Sequence, residues 1–278
     1  MAAMADMAEE AMNNTVLQTH ALVKRFGGIT ATDHVSLTVT RGARHALIGP
    51  NGAGKTTLIN LLTGVMPPPS GRVELLGRDI TALAPHRRVG LGLVRTFQIN
   101  QLFATLTPLQ SLALAVASRA GAAHRWWRPL GADVAIASEC DALLQQFRLQ
   151  DHATQPTETL PYGKRRLLEI ALAVAQRPQV LLLDEPAAGV PASERADILA
   201  TVAALPADVS VVLIEHDMDL VFSFATRITV LVNGAVLTEG TPAQIAADPQ
   251  VKAVYLGDSV GVGVGVGDSV CDTKVAHG

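Results

Sequence analysis

Four short stretches carry the residue types that chemistry at a phosphate needs. GPNGAGKT (49–56) fits the pattern GxxxxGK[ST]. In that pattern glycines turn backbone N–H groups inward onto phosphate oxygens, a lysine adds a point charge, and a hydroxyl can ligate a divalent cation. Gly52 and Gly54 supply the backbone freedom, Lys55 the charge and Thr56 the hydroxyl. QVLLLDEP (179–186) ends an apolar run on two acids. A carboxylate at the carboxyl end of a central strand faces the ligand crevice of an α/β sheet. Asp184 there suits Mg²⁺ held through water, and Glu185 can orient and deprotonate an attacking water. Two acids at a strand end are otherwise a solvated terminus; their pairing with the glycine loop favours the chemical reading. SVVLIEH (210–216) closes on His216, whose imidazole can bridge phosphate, water and the Glu185 region. Alone it would read as an ordinary surface or packed histidine. LPYGK (160–164) sets Pro-Tyr-Gly-Lys at the mouth of a basic, apolar helix. Helix N-termini attract anions, and a proline-started helix with no ligand is the other reading.

These stretches need elements to hold them. RHALI (44–48) is strand-like and runs into the glycine loop, and the helical pattern of Leu58, Ile59, Leu61 and Leu62 stops at Gly64. Residues 15–41 read as short strands and turns broken at FGG (26–28), PPPSG (67–71) as a turn, and RVELLG (72–77) and GLGLVRTFQ (90–98) as short strands. From 100 to 176 the pattern is mostly helical, with Thr107 as a cap and Pro108 in the first turn. QVLLLDEP suits a strand buried on both faces. A helix follows around 191–204, then the strand 210–216, then a helix from 217. In RITVLVNGAVLTEG (227–240), Asn233-Gly234 between alternating apolar runs signals a hairpin. Strands alternating with helices predict an α/β sheet with a helical block inserted at about 100–176. Residues 1–14 are expected to be a flexible tail, and the Gly/Val-rich stretch 258–278 to be disordered.

Composition narrows the partners. A net charge of −3 gives no global basic field to recruit nucleic acid or anionic lipid. Cys140 and Cys271 lie far apart in no CxxC, which fits a reducing compartment. No apolar run reaches the ~18–20 residues of a spanning helix. Asp6, Glu9 and Glu10 stand where a signal peptide would be basic. The chain reads as soluble and cytosolic.

In this order and over about residues 15–257, the stretches resemble the ATPase subunits of ABC transporters. FGGITATDHVSLTV, VRTFQINQLFATLT, YGKRRLLEIA, LLLDEPAAGV, LIEHDMDLV and VKAVYLG are most similar to the ATP-binding subunits of branched-chain amino acid importers. The resemblance implies a P-loop NTPase with a mainly parallel core sheet, an antiparallel β subdomain and an inserted helical subdomain. It implies ATP and Mg²⁺ as ligands. Phe26 would stack on adenine, and Gly49, Asn51, Gly52, Ala53, Gly54, Lys55, Thr56 and Thr57 would cradle the phosphates. Thr56, Gln98 and Asp184 would serve the metal, with Glu185 as base, His216 as linchpin and Gln98 positioning water. LPYGK aligns with the signature usually written LSGGQ, so Gly163 would serve in trans the nucleotide of a second ABC ATPase subunit. Transmembrane permease subunits and, indirectly, a solute-binding protein are the implied partners, without nucleic acid. The implied location is peripheral, on the cytoplasmic face of the cell membrane.

The chain departs from the pattern at several points. Pro161 replaces the signature serine, Tyr162 its first glycine and Lys164 its glutamine, and Pro191 takes the position of the D-loop aspartate. A cation at Lys164 is expected to offset part of the lost hydroxyl. QINQLFATLT (98–107) is expected to be helical, with Leu102 and Phe103 an exposed apolar pair facing the permease. Trp126-Trp127 fits either core packing or a membrane-subunit contact. An exporter ATPase, an importer of another solute, and a nucleotide-gated subunit with little turnover remain open. The altered signature favours the last and the intact Glu185 and His216 oppose it.

Overall fold

The structure, a computed structural model, describes residues 14–96, 102–121 and 133–257. Gln98, Trp126-Trp127 and both terminal stretches, 1–13 and 258–278, lie outside the described residues. The first layer is antiparallel: β1 (Thr15–Phe26), β2 (Ile29–Val35), β3 (Thr38–Thr40), β5 (Ser70–Leu75) and β6 (Arg78–Asp79). They run in the order β2-β1-β5-β6, with β3 also on β1. β1 is a single 12-residue strand rather than the short strands its sequence suggested. It absorbs irregularity by bulging: Ala21 takes φ 47 and the pairing with β5 slips between His20 and Val23.

The second sheet holds the chemistry. β4 (Arg44–Ile48), β7 (Leu93–Arg95), β8 (Val180–Asp184), β9 (Ser210–Ile214), β10 (Arg227–Val232) and β11 (Ala235–Gly240) run in the order β11-β10-β4-β9-β8-β7. All pairs are parallel except the β10–β11 hairpin. Its turn is Asn233 (φ 49) and Gly234 (φ 81), the left-handed pair that matches strand twist. Every residue of β8 and β9 is buried, as near-continuous apolar runs require when both faces are covered. Alternation then splits the sheet's side chains between two cores. Leu47, Leu182, Val212 and Leu231 join a core with the helix α1 (Lys55–Thr63) and the antiparallel layer. Ile48, Leu183, Leu213 and Val230 join a larger core on the opposite face.

That second core is helical. α2 (Pro85–Gly90) leads into β7, and between β7 and β8 the described residues form α3 (Pro108–Arg119), α4 (Val134–Gln146) and α5 (Tyr162–Val174). α6 (Ala192–Ala203), α7 (Met218–Phe224), α8 (Pro242–Ala247) and α9 (Pro249–Gly257) complete the α-helices among the described residues. Thr107 caps α3 through a reciprocal capping box with Gln110, and Pro108 is the first residue of the helix. Residues 102–107, expected to be helical, are not: they form a turn. Its Ala104 and Leu106 carbonyls accept from the Glu158 and Thr157 amides at 3.1 and 2.9 Å. A proline disfavours the helical region for the residue before it, and Thr107 accordingly sits at φ −82, ψ 161. Phe103 is exposed, but Leu102 packs against the larger core, so the expected exposed pair reduces to one residue.

One buried polar chain crosses the sheet. His45 Nε2 lies 2.8 Å from Thr229 Oγ1, which donates to Glu239 Oε2 at 2.9 Å. Burial pushes the His45 imidazole down to about 4, with Glu239 opposing. An unfolded histidine titrates near 6.5, so the unfolded chain binds this proton first as pH falls. Stability is therefore expected to drop by up to about 3 kcal/mol between pH about 6.5 and 4. Urea unfolding across that range checks it; His45→Asn should remove much of the slope, and an unchanged slope would refute the assignment.

Candidate nucleotide site

Register brings the chemical stretches together. Leu47 of β4 pairs with Ile214 of β9, and Ile214 pairs with Asp184 of β8. The three strands therefore end level, so the glycine loop, Glu185 and His216 all leave the same edge of the sheet. This is the crevice outside the carboxyl ends of strands where α/β sheets bind ligands.

The loop is pinned from two sides. Gly234 of the hairpin turn donates to Ala53 O at 3.0 Å. At Gly54 (φ 99), the residue capping α1, an added Cβ would lie 2.1 Å from Ala31 O. At Gly52 (φ 80) it would meet nothing within 4 Å, so the demand there is on backbone conformation. Asn51 is exposed at the turn, Gly49 directly follows β4, and Thr56 and Thr57 occupy the first turn of α1. Lys55 folds back over the loop, its Nζ donating to Gly49 O at 2.5 Å and Pro50 O at 3.0 Å. Burial lowers its pKa below the ordinary lysine value, while the Glu185 and Asp184 carboxylates pull it back up. Lysine, loop and acids thus form one electrostatic unit.

Asp184 is 4% exposed at the end of β8 and accepts from Arg95 Nη2 at 2.6 Å. The same guanidinium donates to Asn60 Oδ1 on α1 at 2.7 Å, so Arg95 ties the acid strand to the phosphate-loop helix. Glu185 adopts φ 47, a left-handed conformation that costs a non-glycine residue roughly 1–2 kcal/mol. His216 Nδ1 lies 3.9 Å from Glu185 Oε1 and 3.9 Å from Glu215 Oε2, too far for a hydrogen bond to either. His216 itself is 67% exposed. The neighbouring Glu215 is buried, and its carboxylate accepts from the amides of Ala187 at 3.2 Å and His216 at 3.3 Å. Burial raises its pKa and those two hydrogen bonds oppose the rise. Phe26 ends β1 half-exposed, with Lys24 Nζ 5.6 Å from its ring centroid.

At LPYGK, Pro161 is the N-cap of α5 and supplies no side-chain cap. Glu194 of α6 stands beside this turn: a Cβ on Gly163 would lie 2.1 Å from its Oε2. A carboxylate is favoured beside the positive end of a helix. Tyr162 Oη donates to Ala188 O at 3.2 Å, fastening the signature turn to the loop that follows Glu185. Lys164, read as a cation at the mouth, instead donates to Arg148 O at 2.9 Å.

Arg95, Glu194 and Glu215 were not singled out from sequence. The signal for Glu215 was present as an acid inside an apolar strand, LIEH. Arg95 and Glu194 had none, because their partners are distant in the chain.

A strand-ended glycine loop, a buried acid on the next strand but one, and a strained glutamate facing a histidine define a P-loop ATPase site. The sequence bears the same out. The family model described as ABC transporter matches residues 32–188, and one described as branched-chain amino acid ATP-binding cassette transporter matches 235–260. The chain is 40% identical over 257 residues to the high-affinity branched-chain amino acid transport ATP-binding protein BraF of Pseudomonas aeruginosa, covering 89% of this chain and 100% of the relative. It is 35% identical over 255 residues to LivG of Escherichia coli K12, a protein of the same description, with the same coverage. Among solved structures, the ADP conformation of an ATP-binding cassette of an ABC transporter superposes with TM-score 0.77 at 30% identity, covering 87% of this chain and 99% of that one. The chain belongs to the ABC transporter family: it is an ATP-binding cassette, an ATPase of the P-loop fold.

Proposed function

We propose that this cassette hydrolyses MgATP to drive an importer of branched-chain amino acids. It sits peripherally on the cytoplasmic face of the membrane, bound to transmembrane permease subunits and a second cassette subunit, and is fed indirectly by a solute-binding protein. The observation that carries the chemistry is the level ending of β4, β9 and β8, which brings Lys55, Glu185 and His216 to one crevice. The substrate class rests on relatives that the chain covers end to end. Among the described residues no helix is long and apolar enough to cross a membrane. We take residues 15–257 as the cassette and about 100–176 as its helical subdomain.

In this reading the loop amides, with Gly49, Asn51, Gly52, Ala53 and Gly54, receive the phosphates and Lys55 neutralises the outer pair. Thr57 reaches the α-phosphate and Phe26 carries the adenine. The Thr56 hydroxyl, Asp184 and Gln98 would hold the Mg²⁺ of the MgATP substrate, which would neutralise phosphate charge. Glu185 takes the proton of the water that attacks the γ-phosphorus, as the bond to the bridging oxygen breaks and ADP leaves. His216 steadies that carboxylate and the transferred phosphoryl group. Gly163 opens the helix that meets the partner's nucleotide.

Phe103, an exposed aromatic beside the helical block, is the anchor we assign to the permease. In a strain lacking this chain, the wild type should restore leucine, isoleucine and valine uptake. Phe103→Ala should restore about tenfold less uptake while basal hydrolysis by the purified chain stays within about twofold. Restored uptake of some other solute alone would overturn the substrate assignment, and equal loss of uptake and hydrolysis would overturn the role of Phe103.

A further inference from the structure

Arg166 is a cation buried where its helix should be apolar. It lies on α5 among Gly163, Leu167 and Ile170, with 2% of its surface exposed. Its guanidinium donates to three successive carbonyls at the end of β8 and in the turn after it. Nη2 reaches Asp184 O at 3.1 Å and Glu185 O at 2.8 Å, and Nε reaches Pro186 O at 3.0 Å. Nη1 pairs with Glu169 Oε2 at 2.6 Å. Stability alone does not account for this arrangement. Exchanging a buried ion pair for apolar side chains is often neutral or favourable, and Glu169 Oε1 is buried without a hydrogen-bond partner among the described residues.

What the guanidinium holds is the peptide that carries the strained glutamate. Glu185 is the left-handed residue of that turn. Its amide donates to Ile214 O at 2.9 Å, and two residues on the Ala187 amide is held by Glu215. A conformation of this kind persists only when its surroundings over-determine it. Three carbonyls in a row match a rigid guanidinium fork, which a lysine ammonium cannot reproduce. Arg166 also stands one turn after Gly163, on the helix whose Tyr162 bonds Ala188 of the same loop. Two side chains of the signature helix therefore grip the segment 184–188.

We infer that Arg166 is a positioning residue for Glu185, and that through it the placement of the base in one nucleotide site follows the position of the signature helix, which serves the other. This rests on the assignment of Glu185 as base. The test compares full-length Arg166→Lys, Arg166→Met, the double variant Arg166→Met/Glu169→Leu, and Glu185→Gln for MgATP binding, thermal midpoint and steady-state hydrolysis. Arg166→Lys should lower kcat about 10–100-fold, since small misplacement of a reacting group has effects of that size, with KM and MgATP affinity changed less than about threefold. The double variant leaves no buried charge without its partner, although it also takes the donor from three carbonyls, so it should keep more of the wild-type thermal midpoint than Arg166→Met alone while kcat stays at least about tenfold down.

If kcat recovers together with the midpoint in the double variant, Arg166 is only structural and the inference is wrong. If the double variant does not fold, Arg166→Lys decides: normal kcat overturns the inference and a selective loss supports it. Should Glu185→Gln keep turnover, the base assignment fails and takes this one with it. Should Glu185→Gln be dead and Arg166→Lys normal, the clamp alone is refuted.

Discussion

Glu185→Gln is expected to bind MgATP as the wild type does while hydrolysis falls by about 10²–10⁴-fold, the usual worth of a general base. Glutamine keeps the shape of the side chain and removes its basicity. The substitution leaves the rest of the turn in place, because what Arg166 and Ile214 hold at this residue is its main chain. The strained φ of 47 is therefore retained, while the proton acceptor and the negative charge facing Lys55 are lost. The mutant should accumulate as a nucleotide-bound, closed pair of cassettes, visible as a dimer by size-exclusion chromatography with MgATP. Turnover within a few-fold of wild type would remove Glu185 from the mechanism.

Lys55→Ala should act one step earlier, weakening MgATP binding by more than about 100-fold. Hydrogen bonds to a charged group contribute about 1.5–3 kcal/mol each, and about 1.4 kcal/mol is tenfold in affinity. The ammonium also ties Gly49 and Pro50 of the loop together and balances the carboxylates of Asp184 and Glu185. Alanine thus loosens the cradle and removes one of the cations facing the acids, although Asp184 keeps Arg95. Titration with a fluorescent ATP analogue separates the two mutants: Glu185→Gln should saturate as the wild type does and Lys55→Ala should not. Unchanged affinity in Lys55→Ala would contradict the phosphate-loop reading.

The parts of this site legible in the sequence are those whose residues are contiguous and whose types have few other uses. GPNGAGKT, the acids after VLLL, and Asn233-Gly234 each state a backbone conformation or a buried strand within a few positions. Residues that act through a distant partner were not legible. Arg95 depends on Asn60 and Asp184, and Glu194 on the glycine opening another helix. Arg166 left a trace, being a charge on the stripe of Gly163, Leu167 and Ile170 with Glu169 one turn away, but nothing local shows that its target is the turn after Asp184. The helical expectation for 98–107 fails in its described part because Thr107 and Pro108 start a helix there and make the preceding residues a turn. The charge of Lys164 places it at the mouth of the helix by sequence, whereas its chain reaches the Arg148 carbonyl.

The most direct measurement is MgATP hydrolysis by the full chain assembled with its permease and partner cassette in vesicles, with and without leucine-loaded binding protein, against the same assembly carrying Glu185→Gln. The account predicts that loaded binding protein raises hydrolysis, that leucine accumulates in step with it, and that both are lost in the mutant. Leucine uptake with hydrolysis no higher than in Glu185→Gln would contradict it, making this chain a nucleotide-gated subunit rather than the motor.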